Sequence, residues 1–139
     1  MKVAIVTGSS KGIGAGIALR LAAEGAKVIV NYSRSAADAD VVVRRIVADG
    51  GEAIAVRANI AEPAEIAGLV AAAVEHFGRL DILVNNAGVY KVDSLDTLSA
   101  ESFDEHFHLN VRGLLLTTQA AARVMHSGAV IVNISSGLA

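Results

Sequence analysis

A glycine-rich stretch between an apolar run and an amphipathic segment constrains the fold of this chain more than any other feature. The stretch spans Thr7–Gly14 and carries three glycines. The apolar run Val3–Val6 before it predicts a buried strand, and the apolar spacing over Ile13–Leu21 predicts a helix. A strand that turns through glycines into a helix directs free backbone N–H groups and the positive helix end at one point. That arrangement suits a phosphate or pyrophosphate group.

The spacing of the glycines leaves two interpretations open. It is Gly-x-x-x-Gly-x-Gly, which differs from the commonest dinucleotide fingerprint, Gly-x-Gly-x-x-Gly. It is not a Walker loop, because no Gly-Lys-Ser/Thr sequence follows the glycines. Taken alone, the stretch is compatible with a phosphate-binding loop or with a tight structural connection between a strand and a helix.

Apolar strands and helices alternate along the rest of the chain, and glycines separate them. The strands are continuously apolar, which is typical of a parallel sheet covered by helices on both faces. With right-handed crossovers, the pattern predicts an α/β fold, a doubly wound, Rossmann-like parallel sheet of five strands that forms one domain over residues 1–139. The predicted strands are Val3–Val6, Lys27–Tyr32, Ala53–Arg57, Leu80–Asn85 and Ala129–Ile134. Predicted helices follow the glycines up to Gly25, span Ala36–Asp49, run from Pro63 to Gly78, and extend from the N-cap Ser99 to Met125.

Composition narrows the classes of function. The 12 Lys and Arg residues and the 14 Asp and Glu residues give a net charge of −2, with no basic stripe for nucleic acid. Apolar runs stay far below the roughly 18 residues of a membrane span, and nothing resembles a secretory signal. Cysteine is absent, so disulfide and thiolate chemistry are excluded. We expect a cytoplasmic protein that binds neither nucleic acid nor a membrane, and the four histidines form no ligand-like trio for a metal.

Polar residues follow the predicted strands at their carboxyl ends. In a doubly wound sheet these ends share one edge, and ligands bind where the strand order reverses. This agreement favours a nucleotide site over a purely structural turn. The polar positions after the glycine loop are Asn31–Arg34, Asn59, Asn85–Gly88 and Ser135-Ser136.

The end of the second strand bears on the choice of dinucleotide. A site for NAD usually places an acid about 20 residues past the loop, on the ribose 2′-hydroxyl. Here the segment Asn31–Arg34 contains no acid, and Lys11 lies within the glycine loop. Two cations and a serine favour a 2′-phosphate, so we expect NADP(H) rather than NAD(H). The alternative is that Lys11 and Arg34 are ordinary solvated charges.

Four motifs together make the chain resemble the short-chain dehydrogenase/reductase family. Thr7–Gly14 is similar to the glycine loop of that family, and Asn85–Gly88 is similar to its fourth-strand motif. Asn110, within Leu109–Gly113, matches the family's helix asparagine, and Val132–Ser136 matches the strand that delivers its catalytic serine. The motifs stand in the family's order and cover the whole chain. Within the family, the chain most resembles 3-oxoacyl-(acyl-carrier-protein) reductases.

The resemblance implies an oxidoreductase that transfers a hydride between NADP(H) and a small carbonyl or alcohol substrate, possible substrates including a 3-oxoacyl thioester. It implies that Ser136 hydrogen-bonds the substrate oxygen and that Asn110 holds a water in a proton relay. Asn59 stands where family members carry an aspartate that accepts from the adenine amino group, and its amide oxygen keeps an acceptor there. The cofactor-binding residues implied are Gly8, Ser10, Lys11, Gly12, Ile13, Gly14, Asn31, Tyr32, Ser33, Arg34, Asn59, Ile60, Asn86, Ala87 and Gly88.

One family motif has no counterpart in this sequence. The family's chemistry needs a Tyr-x-x-x-Lys pair a dozen or so residues beyond the serine, and neither Tyr32 nor Tyr90 is followed by such a lysine. We therefore expect the final strands, helices and catalytic segment to lie outside this sequence, and the 139-residue chain to lack hydride-transfer activity. A non-catalytic nucleotide-binding or interaction half-domain is the alternative. The resemblance also implies a homodimer or homotetramer when full length, formed through Phe103–Met125.

Overall fold

The computed structural model describes residues 1–137, so the last two positions of the predicted domain lie outside the described residues. These residues contain a five-stranded sheet flanked by helices. The strands are β1 (Val3–Val6), β2 (Lys27–Tyr32), β3 (Ala53–Arg57), β4 (Ile82–Asn85) and β5 (Val130–Asn133). The helices are α1 (Gly12–Ala23), α2 (Ala36–Ala48), α3 (Pro63–Phe77), α4 (Ala100–Phe107) and α5 (Leu114–Ala122), and a π-helical turn, His108–Gly113, joins α4 to α5.

The sheet is parallel throughout and its strand order is β3-β2-β1-β4-β5. Strand β1 lies in the middle, with Val6 level with Val30 of β2 on one side and Val84 of β4 on the other. From β1 the chain adds β2 and β3 on one side and then β4 and β5 on the other, so the strand order reverses between β1 and β4. The glycine loop follows β1 at that point. The predicted doubly wound, Rossmann-like fold is confirmed.

Both faces of the sheet are buried, which explains why its inner strands are continuously apolar. Successive side chains of a strand point to opposite faces. In β1, Val3 and Ile5 join the cluster beneath α3 and α5, whereas Ala4 and Val6 join the cluster beneath α1 and α2. Each central strand therefore contributes to two cores, and a polar residue inside it would disrupt one of them.

Local signals set most element ends. The Ser35 and Ser99 hydroxyls cap α2 and α4 by accepting from backbone N–H groups three residues on. Pro63 opens α3, and Gly78 closes it with φ +81°. Strand β4 is shorter than predicted and begins at Ile82, although the Asp81 N–H already donates to the Val3 carbonyl oxygen of β1 at 2.9 Å.

The long helix predicted from Ser99 to Met125 is wrong in detail. It is interrupted by the π-helical turn, and α5 ends at Ala122. Asn110 lies within the turn and its side chain binds the backbone of Val89. At the end of the turn, Gly113 packs so closely on Ile60 that a Cβ there would lie 2.5 Å from the Ile60 carbonyl oxygen. Both contacts fall within this turn, and single π-helical turns inside an α-helix are frequent at functional sites.

Strand β5 forms one edge of the sheet. Within residues 1–137 it pairs only with β4, and its apolar side chains Val130, Ile131 and Val132 are 48%, 37% and 41% exposed. Its apolar sequence contrasts with this exposure. Separately, no helix in the described part of the chain combines the length and apolarity needed to cross a membrane.

Candidate nucleotide site

A cleft of about 330 Å³ lies at the carboxyl edge of the sheet, beside the reversal of strand order. Residues after β1, β2, β3 and β4 all contribute to it, together with the start of α2. This is where a doubly wound fold is expected to bind its ligand. The residues that line the cleft are Gly8, Ser10, Lys11, Asn31, Ser33, Arg34, Ser35, Asp38, Ala58, Asn59, Ile60, Asn86, Ala87, Gly88 and Leu109.

The glycine loop presents unused backbone donors at the start of α1. Among residues 1–137, no acceptor contacts the N–H groups of the segment 10–14. The first turn of α1 also carries no acidic side chain that would compete for these donors. Free N–H groups at a helix start, reinforced by the helix dipole, bind phosphate oxygens. This part of the chain therefore fits a pyrophosphate.

All three glycines of the loop are required by its shape. Gly8 and Gly12 have φ +61° and +60°, a conformation that residues with a side chain rarely adopt. Gly14 has an ordinary backbone, but a Cβ on it would lie 2.4 Å from the Gly8 carbonyl oxygen and 2.5 Å from Asn86 Nδ2. The start of α1 thus sits directly against the loop and β4.

Thr7 and Asn86 join the glycine loop to the end of β4. The Thr7 hydroxyl oxygen accepts from the backbone N–H groups of Asn86 (2.9 Å) and Ala87 (3.0 Å). In return, Asn86 Nδ2 donates to the carbonyl oxygens of Thr7 and Gly8, both at 3.1 Å. These four bonds fix the two walls of the cleft across the point where the strand order reverses.

Asn31 lines the cleft and is held by hydrogen bonds to protein groups, and its contact with a cofactor stays a prediction. The residue is 1% exposed, and its Oδ1 accepts from the Gly8 N–H at 3.0 Å. Its Nδ2 donates to the carbonyl oxygens of Ala58 (3.1 Å) and Val56 (3.3 Å). Both ends of the amide are therefore occupied by protein groups.

The cleft carries the cations expected for a 2′-phosphate. Lys11 and Arg34 line it, are exposed, and form no ion pair within residues 1–137. Ser33 also lines it. Sequence reasoning missed Ser35 and Asp38, which line the cleft too, although the capping pattern at the start of α2 was a signal for Ser35.

Asn59 lines the cleft and its amide oxygen has one protein partner. Asn59 Oδ1 accepts from the Ala61 N–H at 3.0 Å, which forms a local turn. A carbonyl oxygen has two lone pairs, so one remains for a ligand donor. Ile60 is buried in the wall next to it.

Several expected site residues lie outside the cleft. Tyr32 packs with the core cluster beneath α1 and α2, so its predicted cofactor contact is not supported by the structure. Gly12, Gly14 and the 69%-exposed Ile13 lie at the start of α1, beyond the lining residues. Ser136 is exposed after β5. Leu109, in the π-helical turn, lines the cleft and was missed, because nothing in the helical periodicity indicates that turn.

The segment after the fourth-strand motif is attached to one face of α4 and the π-helical turn. Asn110 accepts from the Val89 N–H and donates to the Val89 carbonyl, both at 2.8 Å. One turn earlier, His106 Nε2 accepts from the Lys91 N–H at 3.0 Å. The Lys91 ammonium pairs with Glu105 and lowers the pKa of that carboxyl. Both polar ends of the Asn110 side chain bind Val89, and its role in a water relay stays a prediction.

Comparisons with known proteins agree with this geometry. The family model described as short chain dehydrogenase matches residues 2–139. An uncharacterised oxidoreductase of Methylorubrum extorquens is 53% identical over 97% of this chain and 54% of its own length. A 3-oxoacyl-[acyl-carrier-protein] reductase of Synechocystis is 44% identical over 97% of this chain and 56% of its own length.

Among solved structures, a short chain dehydrogenase from Burkholderia cenocepacia, in complex with NADP, superposes with a TM-score of 0.96 at 47% identity. The superposition covers 99% of this chain and 56% of that protein. The chain thus spans about half the length of the relatives it matches. A family match over nearly every residue, together with the doubly wound sheet and its glycine loop, shows that the chain belongs to the short-chain dehydrogenase/reductase family of oxidoreductases.

Proposed function

We propose that these residues form the cofactor-binding part of an oxidoreductase that moves a hydride between NADP(H) and a carbonyl or alcohol substrate. The observation that carries the proposal is the cleft, which is lined by Ser10 and Lys11, whose N–H groups are free within residues 1–137, and by the cationic side chains of Lys11 and Arg34. Pyrophosphate and 2′-phosphate groups need those two kinds of donor. When bound, the dinucleotide supplies or accepts the hydride at its nicotinamide ring.

The preference for NADP(H) over NAD(H) rests on Lys11 and Arg34. Neither side chain has an ion-pair partner in the described chain, and both line the cleft together with Ser33. The Burkholderia relative was solved with NADP, which supports the same choice. Asp38 also lines the cleft and opposes a 2′-phosphate, so the two cations must outweigh it.

Substrate chemistry is proposed from the family's pattern. We assign Ser136 as the hydrogen-bond donor to the substrate oxygen, which stabilises developing negative charge, and Asn110 as a member of the proton relay. The Synechocystis relative is named a 3-oxoacyl reductase, which supports a 3-oxoacyl thioester as one substrate. The alternative is a nucleotide-binding half-domain without catalysis, which would bind NADP⁺ but show no NADPH-dependent carbonyl reduction.

Calorimetric titration of the full-length protein with NADP⁺ and NAD⁺ tests the cofactor assignment. We expect Arg34→Ala to raise the Kd for NADP⁺ about tenfold and to leave the Kd for NAD⁺ within about twofold, because only NADP⁺ carries the 2′-phosphate. Arg44→Ala is the matched control, because it removes the same charge from an exposed position on α2 outside the cleft. Equal losses for both dinucleotides would contradict a 2′-phosphate site at Arg34.

We also propose that the full-length protein is a homodimer or homotetramer that pairs through α4, the π-helical turn and α5. Phe103, Phe107, Val111 and Leu115 recur every four residues on this face and are 51%, 47%, 43% and 59% exposed. An apolar stripe of this kind is typical of a contact between helices. We expect Phe107→Glu to lower the sedimentation-derived mass of the full-length protein, whereas Val47→Glu, an equally exposed apolar position on α2, leaves it unchanged.

A further inference from the structure

One buried amide connects two separate parts of the cleft. The Asn31 side chain accepts from the Gly8 N–H on the glycine loop, and it donates to the carbonyl oxygens of Val56 and Ala58 at the end of β3. The backbone of Asn31 adds two bonds, because its carbonyl accepts from the Ser9 N–H at 2.9 Å and its N–H donates to the Ser9 hydroxyl at 3.0 Å. The residue is therefore joined to the glycine loop through three hydrogen bonds.

The two ends of this amide lie under different parts of the cleft. Gly8 belongs to the loop that we assign to the pyrophosphate, and Ala58 directly precedes Asn59, which we assign to the adenine. Pairing between β2 and β3 ends at Arg57, and the Ala58 N–H still donates to the Tyr32 carbonyl oxygen at 2.9 Å. The Asn31 amide adds a second bond at this point, to the Ala58 carbonyl oxygen.

We propose that Asn31 is a positioning residue that fixes the glycine loop relative to the adenine end of the cleft and thereby sets the affinity for an intact dinucleotide. This inference rests on the proposed function, since it concerns the same site. Both ends of the Asn31 side-chain amide are bound to protein groups, so this role needs no hydrogen bond from Asn31 to the ligand. Asn31 aligns the loop and the adenine end so that one extended molecule engages both, and that alignment lowers the cost of binding.

The role needs an acceptor and a donor on one short side chain, which is why asparagine serves it. Asn31→Asp keeps the acceptor for Gly8 but places an oxygen against the carbonyls of Val56 and Ala58. Two carbonyl oxygens and burial disfavour the ionised carboxylate and raise the pKa of the introduced carboxyl. The protonated form restores a donor, so the variant is expected to bind well at low pH and to lose affinity as the pH rises. Asn31→Ala removes both functions at every pH.

The test is calorimetric titration of the full-length wild type and both variants with NADP⁺ and with adenosine 2′-monophosphate, which lacks the pyrophosphate. For Asn31→Ala we expect the Kd for NADP⁺ to rise about tenfold or more, and the Kd for adenosine 2′-monophosphate to rise less. For Asn31→Asp we expect the NADP⁺ loss to grow with pH. The wild type and Asn31→Ala have no titrating group at this position, so measured over the same pH range their affinity should not show that fall.

The outcomes separate this inference from the proposal on which it rests. If the wild type fails to bind NADP⁺, the proposed function is wrong. If the wild type binds NADP⁺ and both Asn31 variants bind it as tightly as the wild type does, only the positioning role is wrong. Equal losses for NADP⁺ and adenosine 2′-monophosphate would also overturn the role, because general destabilisation does not distinguish the two ligands. If Asn31→Asp does not fold at high pH, the positioning role is tested by Asn31→Ala alone, through the difference between its Kd changes for NADP⁺ and for adenosine 2′-monophosphate.

Discussion

Gly14→Ala is expected to abolish measurable NADP⁺ binding and to lower the free energy of unfolding by about 2–3 kcal/mol. The added Cβ would lie 2.4 Å from the Gly8 carbonyl oxygen, 2.5 Å from Asn86 Nδ2 and 2.9 Å from Ser9 Cα. Two of these three contacts are with backbone, which cannot rotate away. Helix α1 must therefore move off the loop, and its free N–H groups move with it.

Gly16→Ala provides the matched control, because it makes the same change two residues further along α1. A Cβ at Gly16 meets no atom within 4 Å, and alanine favours a helix over glycine by about 1 kcal/mol. We expect this variant to be more stable than the wild type in urea unfolding and to bind NADP⁺ normally. A Gly14→Ala protein as stable as Gly16→Ala would contradict the close packing of α1 on the glycine loop.

The second large effect is expected from Thr7→Val. Valine has nearly the same shape as threonine but no hydroxyl, so the backbone N–H groups of Asn86 and Ala87 lose the acceptor that both share. Thr7 is 1% exposed, and leaving buried donors without a partner costs about 1–3 kcal/mol per group. We expect a loss of about 2–4 kcal/mol in unfolding free energy and faster hydrogen exchange at those two amides.

Thr7→Ser tests the physical cause of that loss. Serine keeps the hydroxyl and removes only a methyl group, so it should recover most of the stability and the slow exchange of both amides. If the serine and valine variants lose stability equally, packing of the methyl group and not the shared acceptor accounts for the effect.

Continuity of apolar sequence made the sheet predictable. Strands β1, β2 and β3 have the bounds expected from the sequence, because strands buried on both faces read as unbroken apolar runs. The glycine spacing and the polar residues after each strand also predicted a ligand site at the carboxyl edge, since strand ends in a parallel sheet meet at one edge. A cleft lies there and is lined by Ser10, Lys11, Ser33 and Arg34, and their contact with a cofactor stays a prediction.

Tertiary contacts account for what the sequence could not indicate. The π-helical turn contains the bonds between Asn110 and Val89 and the close approach of Gly113 to Ile60, and neither contact changes the local helical pattern. Asn31 was assigned to the ligand because polar residues at strand ends usually face one. Its burial follows from where the carbonyls of Val56 and Ala58 lie, which depends on how β3 ends beside β2.

The hydrogen bonds between Thr7 and the end of β4 also bear on how the protein is made by the ribosome. The two residues of the Asn86–Thr7 bond are 79 positions apart in the chain. At translation rates of about 5–20 residues per second, Asn86 is synthesised on the order of 4–16 s after Thr7. Until then the central strand β1 lacks its pairing with β4, and the glycine loop lacks its hydrogen bonds to the end of β4. The segment of the cleft that is synthesised first is therefore among the last to reach its final shape.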